Sequence, residues 1–218
     1  LLGQPSLAPR SVVDPNITWE SSKSFQTGVE FRLFDGIINA NVDYYVRKTT
    51  DLYVNKRLSP STGDAVILTN DGEMVNKGLE FDVTGNIIRN EDFNLSLTIN
   101  GEMFQNEITQ MPIENATGEA KVINIDGTFA QSMGRSRYDY YIREWAGVNS
   151  ETGDPQWKEN WVDKNNNDQY DSGEGFTDFE VYKAANPNAV IQERITNKYA
   201  DATRRFNGES LIPTLRGA

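Results

Sequence analysis

Between positions 163 and 174 the chain sets oxygen-bearing side chains at every second position: Asp163, Asn165, Asn167, Gln169 and Asp171, with Gly173 and Glu174 following. Oxygen donors at this spacing suit a hard cation such as Ca²⁺, which takes about six to eight oxygen ligands. The EF-hand loop is the natural comparison. Its twelfth position is a bidentate Glu, and Glu174 stands twelfth counted from Asp163. Its sixth position is Gly, where this chain has Asp168. The same composition also describes a solvated loop whose short polar side chains bond their own backbone. Two readings therefore stand: a Ca²⁺ site on Asp163, Asn165, Asn167, Gln169, Asp171 and Glu174, or an Asx-rich loop that requires no cofactor.

Little else in the sequence could do covalent chemistry. The 218 residues include no His and no Cys. That removes a Ser-His-Asp triad, His acid–base catalysis, thiolate metal sites and disulfides. Glycoside hydrolysis needs only two carboxylates, but no pair stands out from the rest. No glycine-rich phosphate loop precedes a helix. With 32 acidic against 21 basic residues, the net charge of -11 argues against binding nucleic acid. Asn115-Ala116-Thr117 has the spacing of an N-glycosylation acceptor. Trp145, Trp157 and Trp161 could stack on sugars or pack within a loop. Glu20, Glu30, Arg32, Asp43, Arg47, Glu80 and Asp82 fall at alternating positions and read as the wet face of a sheet, able to meet a substrate or an internal domain.

The elements that must position these groups are strands. Residues 19–33 carry Phe25, Thr27, Val29, Phe31 and Leu33 on one face, with Ser24, Gln26, Glu30 and Arg32 on the other, a period of two. Asp35-Gly36 supplies a tight turn. Residues 37–55 alternate Ile38, Ala40, Val42, Tyr44 and Val46 with Asn39, Asn41, Asp43, Tyr45 and Arg47. Residues 58–72 read as a loop around a short apolar piece, Val66 to Leu68. A third strand is expected over 76–87 and a fourth over 93–108, where Phe93, Leu95, Leu97 and Ile99 oppose Asn94, Ser96, Thr98 and Asn100. Beyond that the pattern weakens. Lys121 to Phe129 and Tyr138 to Trp145 read as strands, 149–175 as a long polar loop, and Ala184 to Thr196 as a short helix or broken strand. Leu1 to Asn16 reads as irregular.

No run approaches about 18 apolar residues, so no transmembrane helix is expected. Leu1 to Arg10 lack the basic and apolar regions of a secretion signal. All four clear strands reach the roughly 9–11 residues that a tilted strand needs to cross a bilayer. Short turns near 35 and 90 alternate with long connections after 58 and after 108. Outer-membrane barrels have this asymmetry, with short periplasmic turns and long external loops. Phe31, Phe34, Tyr44, Tyr45 and Tyr53 lie where interfacial aromatics would. The pattern therefore predicts an all-β, transmembrane antiparallel β-barrel. The alternative is a soluble or surface β-sandwich that binds carbohydrate. Exposure of Phe93, Leu95, Leu97 and Ile99 separates the two, because a sandwich would bury them against a second sheet.

Several stretches resemble one family in order along the chain. Asp14-Pro15-Asn16-Ile17-Thr18-Trp19-Glu20 is similar to "NP-x-L-x-W-E", with Ile17 in the usual Leu place. Gly28 to Tyr45 looks like a hairpin ending in "D-Y-Y", and Lys48-Thr49-Thr50-Asp51-Leu52 matches "K-T-x-D-L". Asn76-Lys77-Gly78-Leu79-Glu80-Phe81 matches "NKG-[VL]-E-[FL]". Arg143-Glu144-Trp145-Ala146-Gly147-Val148, followed by Thr152-Gly153-Asp154-Pro155, resembles "REWAGVxxxTGxPxW". Ala202 to Phe206, with Gly208, Ser210 and Pro213, resembles a stretch leading into a later strand. These motifs resemble the C-terminal barrel region of SusC-type TonB-dependent outer-membrane transporters of Bacteroidota.

The resemblance implies that residues 1–218 are one stretch of a barrel of about 22 strands with an internal plug. The plug, the TonB-contacting segment and the leading domain of the family have no counterpart in the sequence. It implies a bacterial outer-membrane protein without enzymatic activity. It also implies energised import of oligosaccharides or peptides through TonB, with a SusD-like surface lipoprotein as partner. Membrane lipid and the remainder of the same barrel would complete the surroundings.

Overall fold

The computed structural model describes residues 14–58, 66–115 and 117–210. Residues 1–13 of the irregular lead-in, 59–65 of the expected loop, Ala116 of the acceptor motif and Pro213 lie outside the described residues. The chain divides into two compact units, the first extending to Lys121 and the second starting at Val122. Among the described residues no helix is long and apolar enough to cross a membrane, which says nothing of crossing by strands.

The first unit is a four-stranded antiparallel meander: β1 Ser21–Leu33, β2 Ile38–Arg57, β3 Val66–Arg89 and β4 Asn94–Gln110, in the order β1-β2-β3-β4. The alternation read from the sequence survives strand by strand, because residues paired across a sheet share a face. Phe25 is opposite Val46, Val29 opposite Val42 and Phe81, and Phe31 opposite Ala40, Val83 and Ile99. Leu33 lies in a row with Ile38, Gly85 and Leu97. From the Phe25 row to the Leu33 row the face is apolar apart from Thr27, Lys77 and Gln105. At about 3.3 Å per residue this stretch runs roughly 26 Å along β1. A tilt of about 40° reduces it to roughly 20 Å of depth, close to the apolar belt of an outer-membrane barrel. The next row outward, Lys23 and Lys48, is charged, and Lys48 Nζ lies 2.7 Å from Glu73 Oε2.

The two hairpin turns are short, as expected. Phe34 and Asp35 both take a φ of 53° in a single 3₁₀ turn. Asn39 and Asn86 donate side-chain N–H groups to Gly36 O. At the other turn Asn90 Oδ1 accepts the Phe93 N–H at 2.7 Å and the Asp92 N–H at 3.2 Å, an Asx turn.

The third strand departs from expectation. It starts at Val66, so the second half of the expected 58–72 loop is paired strand. Asn70-Asp71-Gly72 is a turn signal by composition, yet here it sits in a bulge. The register shifts between Thr49 and Leu52 and again before Val54. Asp51 takes a φ of 60° on one strand. Gly72 passes so close on the other that a Cβ would lie 2.7 Å from Val54 Cγ2. Beyond the bulge Val54, Ile108 and Met111 form a small buried core with Leu52 packed on it.

The second unit holds two small sheets. One has the order β12-β7-β6-β5, from β5 Asn124–Asp126, β6 Phe129–Gln131, β7 Asp139–Arg143 and β12 Arg204–Ser210. The other has the order β10-β9-β11, with β8 also on β9, from β8 Trp145–Val148, β9 Pro155–Trp161, β10 Gly175–Phe176 and β11 Gln192–Thr196. A short helix, α1, covers Phe179–Ala185. The expected strand 121–129 is a hairpin instead, turning at Gly127 with φ 64°, since Asp126-Gly127 is itself a turn dipeptide. The stretch 149–175 contains β9, so it is not one loop. Residues 184–196 contain the end of α1 and the whole of β11. Ile123, Ala130, Tyr141 and Phe206 form the apolar core of this unit, with Tyr141 and Phe206 edge to face at 5.0 Å.

Candidate functional site: the two-faced sheet and the Asp/Asn-rich loop

Among the described residues the apolar face of the meander is exposed. Phe93 is 54% exposed, Leu95 41%, Leu97 54% and Ile99 57%. This is the arrangement of a lipid-facing wall, and it overturns the sandwich alternative, in which these side chains would be covered.

The opposite face is polar and acidic. Asp43, Glu80 and Glu102 stand in one row with Gly28, while Asn41, Asp82 and Asn100 follow in the next row beside Glu30. Of these, Asn41, Asp43, Glu80, Asp82, Asn100 and Glu102 line a shallow depression of about 390 Å³. Tyr45 Oη donates to Glu102 Oε1 at 2.7 Å, and Asn41 Nδ2 donates to Asp43 Oδ2 at 2.6 Å. Thr84 and Thr98 hydroxyls bond across β3 and β4 at 2.9 Å. Of the charges read as lumenal, Asp43, Glu80 and Asp82 come together here with Glu30. Arg32 and Arg47 lie in other rows, and Glu20 faces the extension of the hairpin instead. Such a face can hold hydrated or hydrogen-bonding solutes.

In the Asp/Asn-rich loop the oxygens are taken by the loop's own donors. The Asp163 carboxylate accepts backbone N–H groups of Asn165, Asn167 and Asp168 at 3.2, 3.2 and 2.8 Å. Desolvation is the largest single influence on this carboxyl and raises its pKa, but the backbone donors together outweigh it and hold it below the usual value. Asn165 Nδ2 and Asn167 Nδ2 both donate to Asp171 Oδ2, at 2.8 and 2.9 Å. Gln169 gives its backbone N–H to Asn167 Oδ1 at 2.8 Å. Glu174, buried, accepts the Lys164 and Asp171 N–H groups at 2.9 and 2.8 Å. Among the described residues no three carboxylates converge as metal ligands. A cation would require Asn165 and Asn167 to turn their Oδ1 atoms inward. One feature does follow the EF-hand template. Asp168, at the sixth position, takes a φ of 58°, the conformation for which that template uses glycine.

Sequence reasoning missed the group that anchors this loop. Glu159 on β9 is almost fully buried, with Arg194 of β11 directly opposite. Arg194 Nε and Nη2 each lie 2.8 Å from Glu159 Oε2. Tyr170 Oη donates to Glu159 Oε1 at 3.0 Å, and the guanidinium stacks 3.4 Å over the Tyr170 ring. Burial, then the bond to Glu159, pushes the Tyr170 phenol up. Gly175 leaves room for the carboxylate, since a Cβ there would collide with Glu159 Oε1. Of the three tryptophans, Trp161 is buried against Tyr170 and Trp157 lies between Trp145 and Tyr199. Trp145 remains 55% exposed. The only available signal was a Glu and an Arg at facing positions of two short strands, and without the register nothing connected them.

The profile of a family described as TonB dependent receptor-like, beta-barrel, matches residues 3–197. TonB-dependent receptor P3 of Formosa agariphila is 35% identical over 97 residues, 44% of this chain and 10% of that protein. TonB-dependent receptor SusC of Bacteroides thetaiotaomicron is 28% identical over 176 residues, 77% of this chain and 17% of that protein. Among solved structures, the RagAB peptide transporter superposes with a TM-score of 0.57 at 24% identity, covering 88% of this chain and 18% of that one. The RagAB peptide importer in its open-open state gives 0.56 at 25% identity, covering 74% and 17%. The chain thus spans under a fifth of the length of each of these relatives. With its alternating strands, exposed apolar face and antiparallel order, the chain belongs to the TonB-dependent receptor β-barrel family, as a segment of a SusC-type barrel.

Proposed function

We propose that these residues form part of the wall and external rim of an outer-membrane importer that takes up oligosaccharides or peptides. Uptake is energised through TonB and assisted by a SusD-like surface lipoprotein. The observation that carries this reading is the two-faced meander, apolar on one side and lined with carboxylates, amides and hydroxyls on the other. Among the described residues β1 and β4 are the outer strands of the sheet, and open edges need further strands to persist in lipid, because unpaired backbone groups are costly there. The rest of the same barrel supplies them. The polar face then lines the lumen or contacts the plug, and transport proceeds by gating, without covalent chemistry.

The test is genetic and biochemical. Deleting the full receptor gene should abolish growth on one glycan or peptide source and leave growth on simple sugars intact. An affinity tag on the receptor should co-purify a lipoprotein from detergent-solubilised outer membrane. Unimpaired growth on every oligomeric source, together with no lipoprotein partner, would defeat the reading.

For loop 163–174 we propose self-satisfied hydrogen bonding as the resting arrangement. The positive φ of Asp168 supports a second reading, in which Ca²⁺ takes Asp163, Asn165, Asn167, Gln169, Asp171 and Glu174 after the amides rotate.

A further inference from the structure

We infer that the Asn70 side chain is a clasp that stands in for a missing strand neighbour and fixes residues 18–20 against the β2–β3 hairpin. This inference stands on hydrogen bonds within the first unit and does not depend on what the receptor carries.

Pairing of β1 with β2 stops at Ser21 opposite Thr50. The next residue of β2 is Asp51, whose φ of 60° marks the bulge where the register shifts. Past that point the backbone of residues 18–20 has lost its ladder. Asn70 reaches it from β3, one strand further in. Its Oδ1 accepts the Thr18 N–H at 2.7 Å, and its Nδ2 donates to Thr18 O at 2.9 Å and to Asp51 O at 2.7 Å. A primary amide carries the same donor and acceptor pair as a peptide group, so one side chain replaces a residue of strand.

Two further bonds close the clasp. Tyr53 Oη donates to Thr18 O at 2.8 Å, and Glu20 Oε1 accepts the Tyr53 N–H at 3.1 Å. Thr18 and Glu20 are thus both tied down, while Trp19 between them is 87% exposed. The stretch Asn16-Ile17-Thr18-Trp19-Glu20, which the transport reading leaves without a role, acquires one. It is a strap that keeps the lead-in to β1 from peeling away where the register breaks and holds Trp19 pointing outward. Asparagine is required, because aspartate would present only acceptors to two carbonyl oxygens.

The test is hydrogen exchange on the intact receptor in detergent, followed by mass spectrometry of peptides covering 14–20 and 25–33. In Asn70→Ala the 14–20 peptide should exchange about tenfold faster, while 25–33 stays as in wild type. Asn70→Asp should behave like Asn70→Ala. Unchanged exchange at 14–20, or equal acceleration of 25–33, would overturn the clasp. If neither Asn70 variant folds, Tyr53→Phe removes one bond and keeps the ring. It should speed exchange at 14–20 about two- to threefold, and no change would overturn the proposal.

Discussion

Arg194 faces Glu159 across β9 and β11, with Nε and Nη2 both 2.8 Å from Glu159 Oε2. The carboxylate side chain is only 2% exposed, the guanidinium 33%. Tyr170 completes the group from the Asp/Asn-rich loop, so one buried charge joins two strands and a loop. Removing the arginine leaves that carboxylate without its counter-charge. Arg194→Ala should weaken this sheet by about 2–3 kcal/mol, less than a fully buried pair because the guanidinium still meets water. Hydrogen exchange across peptides 155–161 and 192–196 of the receptor measures it. Arg194→Lys should recover only part, since a lysine lacks the guanidinium fork and its flat stacking surface.

The Tyr141 side chain makes a contrasting case. It lies in the core with Ile123, Ala130 and Phe206. Its hydroxyl is buried and makes no well-formed hydrogen bond among the described residues, although the Glu180 backbone N–H at the start of α1 acts on it as a donor. A buried hydroxyl with so poor a partner gains little from it, so deleting it should cost little. Tyr141→Phe is expected to change stability by less than about 1 kcal/mol. Tyr141→Ala should lose about 3–5 kcal/mol through the cavity it opens. Thermal unfolding of the detergent-solubilised receptor separates the two variants.

The first unit was more legible in the sequence than the second, where Tyr138 to Trp145 alone gave β7 and the start of β8, and the reason is physical. In β1 to β4 one face is apolar and the other polar from the Phe25 row to the Leu33 row, with Thr27, Lys77 and Gln105 as exceptions, so Phe25, Val29, Leu97 and Ile99 stand out by alternation. The 66–72 stretch hid because Asn70-Asp71-Gly72 has turn composition. Only the bulge at Asp51 shows why these residues sit within a strand. In the second unit the strands are as short as two or three residues, too short for a period of two to register. Their stability comes from long-range pairs such as Glu159 with Arg194, and no local pattern announces those. The loop 163–174 was visible as an oxygen-rich run. Its bonding was not, because the same side chains suit a cation or their own backbone.

That loop has a pH signature. The folded pKa of Asp163 lies below its unfolded value of about 3.8. The carboxylate form is therefore favoured by folding. Its contribution is fully present above the unfolded pKa and is lost as pH falls through the folded one. Protection of amides 165–168 should hold from neutral pH down to about 4 and fade in stronger acid. Asp163→Asn should remove that acid step. At neutral pH, chelator should leave these amides unchanged, and slowed exchange on adding Ca²⁺ would instead favour the rotated, cation-bound form.

The two faces of the meander are expected to meet different media, lipid on one side and water or protein on the other. The chain has no cysteine, so single cysteines report cleanly on β4. In the full receptor, made free of other cysteines and reconstituted in lipid, Leu97→Cys and Ile99→Cys should resist a water-soluble maleimide and react with a lipid-soluble one. Their neighbours Thr98→Cys and Asn100→Cys should resist the lipid-soluble reagent. Alternation with a period of two along residues 95–100 is the expected result. Equal labelling of all positions by the water-soluble reagent, or protection of Leu97→Cys and Ile99→Cys from both, would contradict a lipid-facing wall.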